Sequence, residues 1–258
     1  MMCKKMFVAA CALLASVLAV PAAAQQNLLI YCGITMVRPI TELARTFEAR
    51  EKVRIQIAQG GSEDLYQSAK RSRQGDIYFP GEPSYRDLHL AEGLLGDFQL
   101  VAYNQMALFV QKGNPKQVRG QLSELLRRDL AVIVGNAASG SVGQESRHML
   151  DAAGIYPKVV VAATALLPDS RSINLALKRG EADAALNWRA TAFFPDNAPH
   201  VDIVDLPPDV AKPQALLLIQ LTFSKNQELA RKFIRYAAAD EGQAVFRKHG
   251  FLDSKGNR

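Results

Sequence analysis

Three times this chain runs a short apolar stretch into a small turn rich in glycine and hydroxyls, and then into a helical pattern. The turns are Cys32-Gly33-Ile34-Thr35, Gly60-Gly61-Ser62, and Gly135-Asn-Ala-Ala-Ser-Gly140-Ser141-Val142-Gly143. This is a severe constraint on the fold. A strand that leads through a few residues into a helix, over and over, calls for parallel strands covered by helices, an α/β architecture. It also constrains the chemistry. The first backbone N–H groups of a helix have no partner within it and carry the positive end of its dipole, so such a turn is a seat for an anion.

The rest of the chain keeps the same rhythm. Asn27 to Cys32 and Val53 to Ala58 read as strands, and Ile40, Leu43, Ala44 and Phe47 share one helical face between them. Ser62 opens a helix with Leu65, Tyr66 and Ala69 on its apolar side, and Ile77 to Phe79 is a short strand stopped by Pro80. Val101 to Val110 is one long extended run. Leu122, Leu125 and Leu126 mark a helix, Leu130 to Val134 a buried strand, and Val159 to Ala162 another strand. Asp169 or Ser170 caps a helix carrying Ile173, Ala176 and Leu177, closed by Gly180. Ala182 to Asn187 is a strand that delivers Trp188 and Arg189; Ala215 to Thr222 is a long strand, and a final helix follows from Leu229.

The first residues are expected to be an address rather than fold. Lys4 and Lys5 precede an apolar stretch, Phe7 to Val20, and Pro21-Ala22-Ala23-Ala24 offers a cleavage site before Gln25. Cys11 sits in a sequence like a lipoprotein box, but the apolar stretch before it is too short for that reading. Losing residues 1–24 takes two lysines from 31 Lys plus Arg, leaving 29 against 25 Asp plus Glu, a net charge of +4. That mild excess suits a small anion and lacks the clustered basic face of a nucleic-acid binder. Cys3 and Cys11 leave with the leader, so Cys32 has no intrachain partner and hydrophobic packing must hold the fold.

Enzyme motifs fail on inspection. The turn at Gly135 to Ser141 has the glycine spacing of a phosphate loop, but Ser141 stands where that loop needs its lysine. Neither Ser139 nor Ser141 has the flanking glycines of a nucleophile elbow. The four histidines show no metal-ligand spacing, so no metal site and no cofactor is expected. Cys32 reads either as a packing residue or as a nucleophile, and the second requires an activating neighbour. What remains is a nest of N–H groups and hydroxyls that binds without chemistry. Asn187-Trp188-Arg189 adds a strand end with the only tryptophan beside an arginine. Arg189 is expected to fork onto an oxyanion and Trp188 to wall its pocket; the competing reading pairs Arg189 with Asp196 or Asp183.

With these residues in view, the chain resembles the periplasmic substrate-binding proteins of molybdate-type ABC transporters, over about residues 27 to 252. The matching stretches are Tyr31 to Met36, Gly60 to Ser62, Gly75 to Pro80, Ala107 to Pro115, Lys178 to Arg189, and Ala237 to Phe251. The resemblance implies a type II periplasmic-binding-protein fold: two lobes, each a mixed, mainly parallel sheet flanked by helices, with the ligand in the cleft between them. It implies a signal peptide at 1–24, one lobe from 25–104 plus 216–258, a second from 105–215, and hinges near Val101 to Gln105 and Ala211 to Leu217. The ligand-binding set it implies joins Gly33, Thr35, Gly61 and Ser62 on one lobe to Ser139, Gly140, Ser141, Arg171, Ser172, Asn187, Trp188 and Arg189 on the other. The implied partners are a small oxyanion and a membrane permease with its ATPase, or a membrane sensor. Cys32-Gly33 and Asn187-Trp188-Arg189 depart from the molybdate pattern, and widen the ligand range to sulfate, phosphate, arsenate or a small organic acid or phosphate.

Overall fold

The computed structural model describes residues 27–253, 255 and 256; the expected signal peptide lies outside them. In the first sheet, β1 (Asn27–Gly33) lies parallel to β2 (Arg54–Gly60) and β3 (Ile77–Phe79), with β10 (Gln214–Leu221) and β4 (Leu95–Asn104) completing the order β2-β1-β3-β10-β4. In the second, β6 (Val132–Gly135) lies parallel to β7 (Ala165–Leu167) and β8 (Ala184–Trp188), with β5 (Met106–Gln111) and β9 (Val201–Val204) completing the order β7-β6-β8-β5-β9. The two orders are the same arrangement, and in each the returning strand, β10 or β5, is antiparallel to both neighbours. The chain passes from the first sheet to the second at Gln105 and returns between β9 and β10. Both passages are tied together, because the Gln105 side-chain amide donates to the Ala211 carbonyl at 2.7 Å.

Alternation along β1 assigns its side chains to opposite faces. Ile30 and Cys32 join the core beneath α1 (Val37–Glu51) and α7 (Gln227–Ala238), where Phe47 and Phe233 meet edge to face at 5.2 Å. Tyr31 joins the opposite core with Leu65, Tyr66 and Ala69 of α2 (Ser62–Ser72) and Tyr85 of α3 (Ser84–His89). The second lobe packs α4 (Ser141–Ala152) and α6 (Ser170–Lys178) around β5, β6 and β8 through Val142, Met149, Ile173 and Leu177. The lobes are not separated by solvent: Ala190 and Phe194, just after β8, are buried in the first lobe's core.

Several local readings change. The final helix from Leu229 is two, α7 and α8 (Asp240–Lys248), parted at Ala239. Val159 to Ala162 is not a strand but the end of a helix, α5 (Tyr156–Ala162). Pro157 at its first turn favours helix initiation, and only Val159 finds a core while Val161 is 87 % exposed, so no sheet face exists for the alternation to fill. The run Val101 to Val110 is two strands, β4 and β5, parted at Gln105 where the chain changes sheet. The helix at Leu122 is a single 3-10 stretch, Leu122–Leu126. The strands Ala165–Leu167 and Val201–Val204 have no counterpart in the sequence pattern read above.

Candidate functional site

The strand ends of both sheets meet at one seam. From the first lobe come the turn after β1 (Gly33, Ile34, Thr35) and the turn from β2 into α2 (Gly60, Gly61, Ser62). From the second come the start of α4 (Gly140, Ser141, Val142) and the start of α6 (Pro168, Asp169, Ser170). Together they line a cleft pressed nearly shut, with a cavity of ≈ 20 Å³, room for about one water.

The glycines allow that closeness. A methyl group on Gly61 would lie 2.3 Å from the Ser139 carbonyl oxygen across the seam, and one on Gly81 would lie 2.1 Å from the Ser141 hydroxyl. Gly61 and Gly140 are also the residues that precede α2 and α4, and neither helix start has a side-chain cap. Their first N–H groups therefore face the cleft region without a protein side chain to satisfy them. The start of α6 differs: the Asp169 carboxylate accepts from the Ser172 amide at 2.8 Å.

The hydroxyls are held by their acceptor side. Ser62 Oγ, 2 % exposed, accepts from the Gly81 amide at 3.0 Å. Ser141 Oγ accepts from the indole N–H of fully buried Trp188 at 3.2 Å. Each hydroxyl is thereby oriented with its proton available for an acceptor in the cleft. Thr35, buried, donates to the Met36 thioether, a weak acceptor easily exchanged for an oxyanion. No Lys or Arg is among the described residues lining the cleft, so an anion there would be held by dipoles, against one carboxylate, Asp169.

The structure thus brings together Gly33, Thr35, Gly61, Ser62, Gly140 and Ser141. Trp188 lies behind Ser141, and Asn187 holds the start of α6 by donating to the Ser170 carbonyl at 3.2 Å. Ser139 touches the seam through its carbonyl, and Ser172 is engaged by the Asp169 cap. Arg171 reaches across the seam to Gln59 Oε1 at 2.8 Å, lining a neighbouring pocket instead of the cleft. The Arg189 side chain is engaged elsewhere. Its Nε donates to Asp205 at 2.9 Å and its guanidinium lies 4.9 Å over Phe193, away from the cleft lining. The Arg189 backbone N–H donates to the Gln105 carbonyl at 2.7 Å, at the end of the β5–β8 ladder. Cys32 is fully buried, and burial pushes its thiol far above the ordinary range, which opposes the thiolate that a nucleophile needs. Among the described residues no cluster suited to a metal ion occurs.

The sequence reading missed Gly81 and underused Asp169 and Ser170. Gly81 follows the strand stop at Pro80, the one local signal that a third first-lobe turn reaches the seam. Next to it, Glu82 is buried and accepts from the Ser84 amide at 2.9 Å, while Glu145 on α4 is buried and accepts from Gln214 at 3.0 Å. Burial holds both carboxyls above the usual range; the charge of Asp87 adds to this at Glu82 and that of Glu82 at Glu145, while His148 opposes it at both.

Comparison with known proteins gives the family and supports the fold. The family model for bacterial extracellular solute-binding proteins matches residues 28–252, and the chain belongs to that family. A "putative binding protein" of Haemophilus influenzae is 20 % identical over 234 residues, spanning 89 % of this chain and 92 % of that protein. Among solved structures, the sulfate-binding protein SubI of Mycobacterium tuberculosis superposes with a TM-score of 0.76 at 15 % identity, covering 89 % of this chain and 88 % of that one. The periplasmic molybdate-binding protein of Azotobacter vinelandii superposes with a TM-score of 0.71 at 14 % identity, covering 87 % and 98 %. At such identities the superpositions establish the fold, the two-lobed type II arrangement.

Proposed function

We propose that this protein is the periplasmic solute-binding component of an ABC transporter and that its solute carries an oxyanion, seated in the interlobe cleft. The observation that carries this reading is the convergence of two uncapped helix starts with the hydroxyls of Thr35, Ser62 and Ser141. Amides and hydroxyls donate to a tetrahedral oxyanion without lending it a proton or attacking it, which is the chemistry of capture and release. Closure of the lobes buries the anion, and opening surrenders it to the permease.

The sulfate- and molybdate-binding relatives support the ligand class, and the dipole-only lining supports a fully ionised oxyanion. The test is a thermal-shift screen of the mature protein with molybdate, tungstate, sulfate, phosphate, arsenate and small carboxylates. A true solute at a hundred times its Kd adds about 2.7 kcal/mol, a rise in Tm of roughly 5–10 °C for a chain of this size. A screen in which no anion moves Tm defeats the reading.

A further inference from the structure

A cavity of ≈ 510 Å³ adjoins the cleft and shares Ile34, Thr35 and Ser170 with it. Its lining is unlike the cleft's. Arg171, Asn174, Leu175 and Lys178 present one face of α6 to it, since residues three and four apart stack along a helix. Arg38 and Asp196 lie on its rim and neutralise each other in an ion pair. Arg171 donates to the neutral Gln59, and Lys178 donates to the Asp196 carbonyl at 2.9 Å and to the Asn197 side chain. Neither has a carboxylate partner among the ion pairs of the described residues. The pocket thus faces two uncompensated cations, beside apolar Val37, Leu175 and Phe194.

A second, independent observation is Asn174. It is 3 % exposed, and its Oδ1 is buried with no hydrogen-bond partner. The amide orientation follows from the network: the Thr191 hydroxyl donates to the Trp188 carbonyl at 2.9 Å, so toward Asn174 it can only accept, and it does so from Nδ2 at 3.0 Å. Oδ1 is left as an acceptor without a donor, a state that burial penalises until a donor arrives. A bare inorganic oxyanion has no O–H to offer when fully ionised and no carbon to lay on Phe194.

We infer that the solute is a hydroxylated organic anion: its oxyanion head sits in the cleft, and its body fills this second pocket, setting a further negative group on Arg171 and Lys178 and a hydroxyl on Asn174 Oδ1. This rests on the proposed function and deepens it. The two can fail separately in one experiment. Calorimetric titration of the mature protein compares malate, citrate and glycerol 3-phosphate with inorganic phosphate and sulfate. The expected result is that at least one organic anion binds ten or more times tighter than either inorganic one. Leu175→Trp, at a half-exposed position, fills the pocket and should weaken that organic anion at least ten times more than it weakens the inorganic ones. Arg171→Ala and Lys178→Ala should each reduce the same preference severalfold. If phosphate or sulfate binds as tightly as every organic anion, or if Leu175→Trp leaves the preference at its wild-type value, the inference is overturned while anion capture stands. If no anion of either kind binds, the proposed function fails and takes the inference with it.

Discussion

The starts of α2 and α4 and the start of α6 meet at the same cleft, and they are finished differently. The first two follow Gly61 and Gly140 and have no side-chain cap. The third follows Asp169, whose carboxylate satisfies one of its own amides. A capped helix start gains stability and surrenders part of its anion-binding capacity; an uncapped one does the reverse. The seam thus pairs two open helix starts, one from each lobe, with a third start that is self-satisfied and places Ser170 and the pocket-lining face of α6. A ligand bridging α2 and α4 would tie the lobes together, since neither seat is complete in one lobe alone.

The sharpest way to break this contrast is at the open seats. Gly61→Ala drives a methyl into the Ser139 carbonyl. Overpacking against backbone should keep the lobes apart and cost about 1–3 kcal/mol of closure, or roughly 10–100-fold in anion affinity by calorimetry. Wild-type affinity in this variant would mean that the solute does not require the closed seam. Ser62→Ala removes a hydroxyl donor and leaves the Gly81 amide without its acceptor; we expect a stability loss of about 1–3 kcal/mol in urea, with affinity falling alongside.

Smaller effects separate the capped start from the open ones. Asp169→Asn keeps a good cap but removes the cleft's carboxylate, and should raise anion affinity by roughly three- to tenfold, whereas Asp169→Ala should cost about 1 kcal/mol of stability. Arg189→Ala should change affinity less than about twofold and stability by about 1 kcal/mol, since it loses a pair with the exposed Asp205 and the stacking on Phe193. The seam's pH dependence is the gentlest probe. Burial raises Glu82 and Glu145, so the folded protein keeps their protons to higher pH than the unfolded chain does. Their contribution to stability is full below the ordinary glutamate value near 4.5 and declines as pH climbs through the raised values. Urea midpoints across that window should fall with pH, and Glu82→Gln with Glu145→Gln should flatten the slope.

Much of this molecule was legible in its residues because the signals were local. Each strand-to-helix turn is written in consecutive glycines and hydroxyls, and the apolar faces of α1, α2 and α6 follow helical spacing read within a dozen residues. Lacking the phosphate-loop lysine, the turn at Gly140 and Ser141 could be read as a binding nest without any knowledge of its surroundings. Val159 to Ala162 misled for the converse reason: a β-branched run is consistent with a strand, and only the absence of a sheet face to receive it, together with Pro157, makes it helix.

The sequence by itself determined the α/β alternation, the glycine turns and the hydroxyls that could line an anion site. Tertiary structure alone decided which of them meet. Arg189 stands beside Trp188 in the chain, yet one faces Asp205 and the other holds Ser141 from within the core, because successive side chains at a strand end point to opposite sides. Gly81, unremarkable in sequence, lies against Ser141 from sixty residues away. Charge partners and close approaches are pairwise facts between distant segments, and no window along the chain contains them.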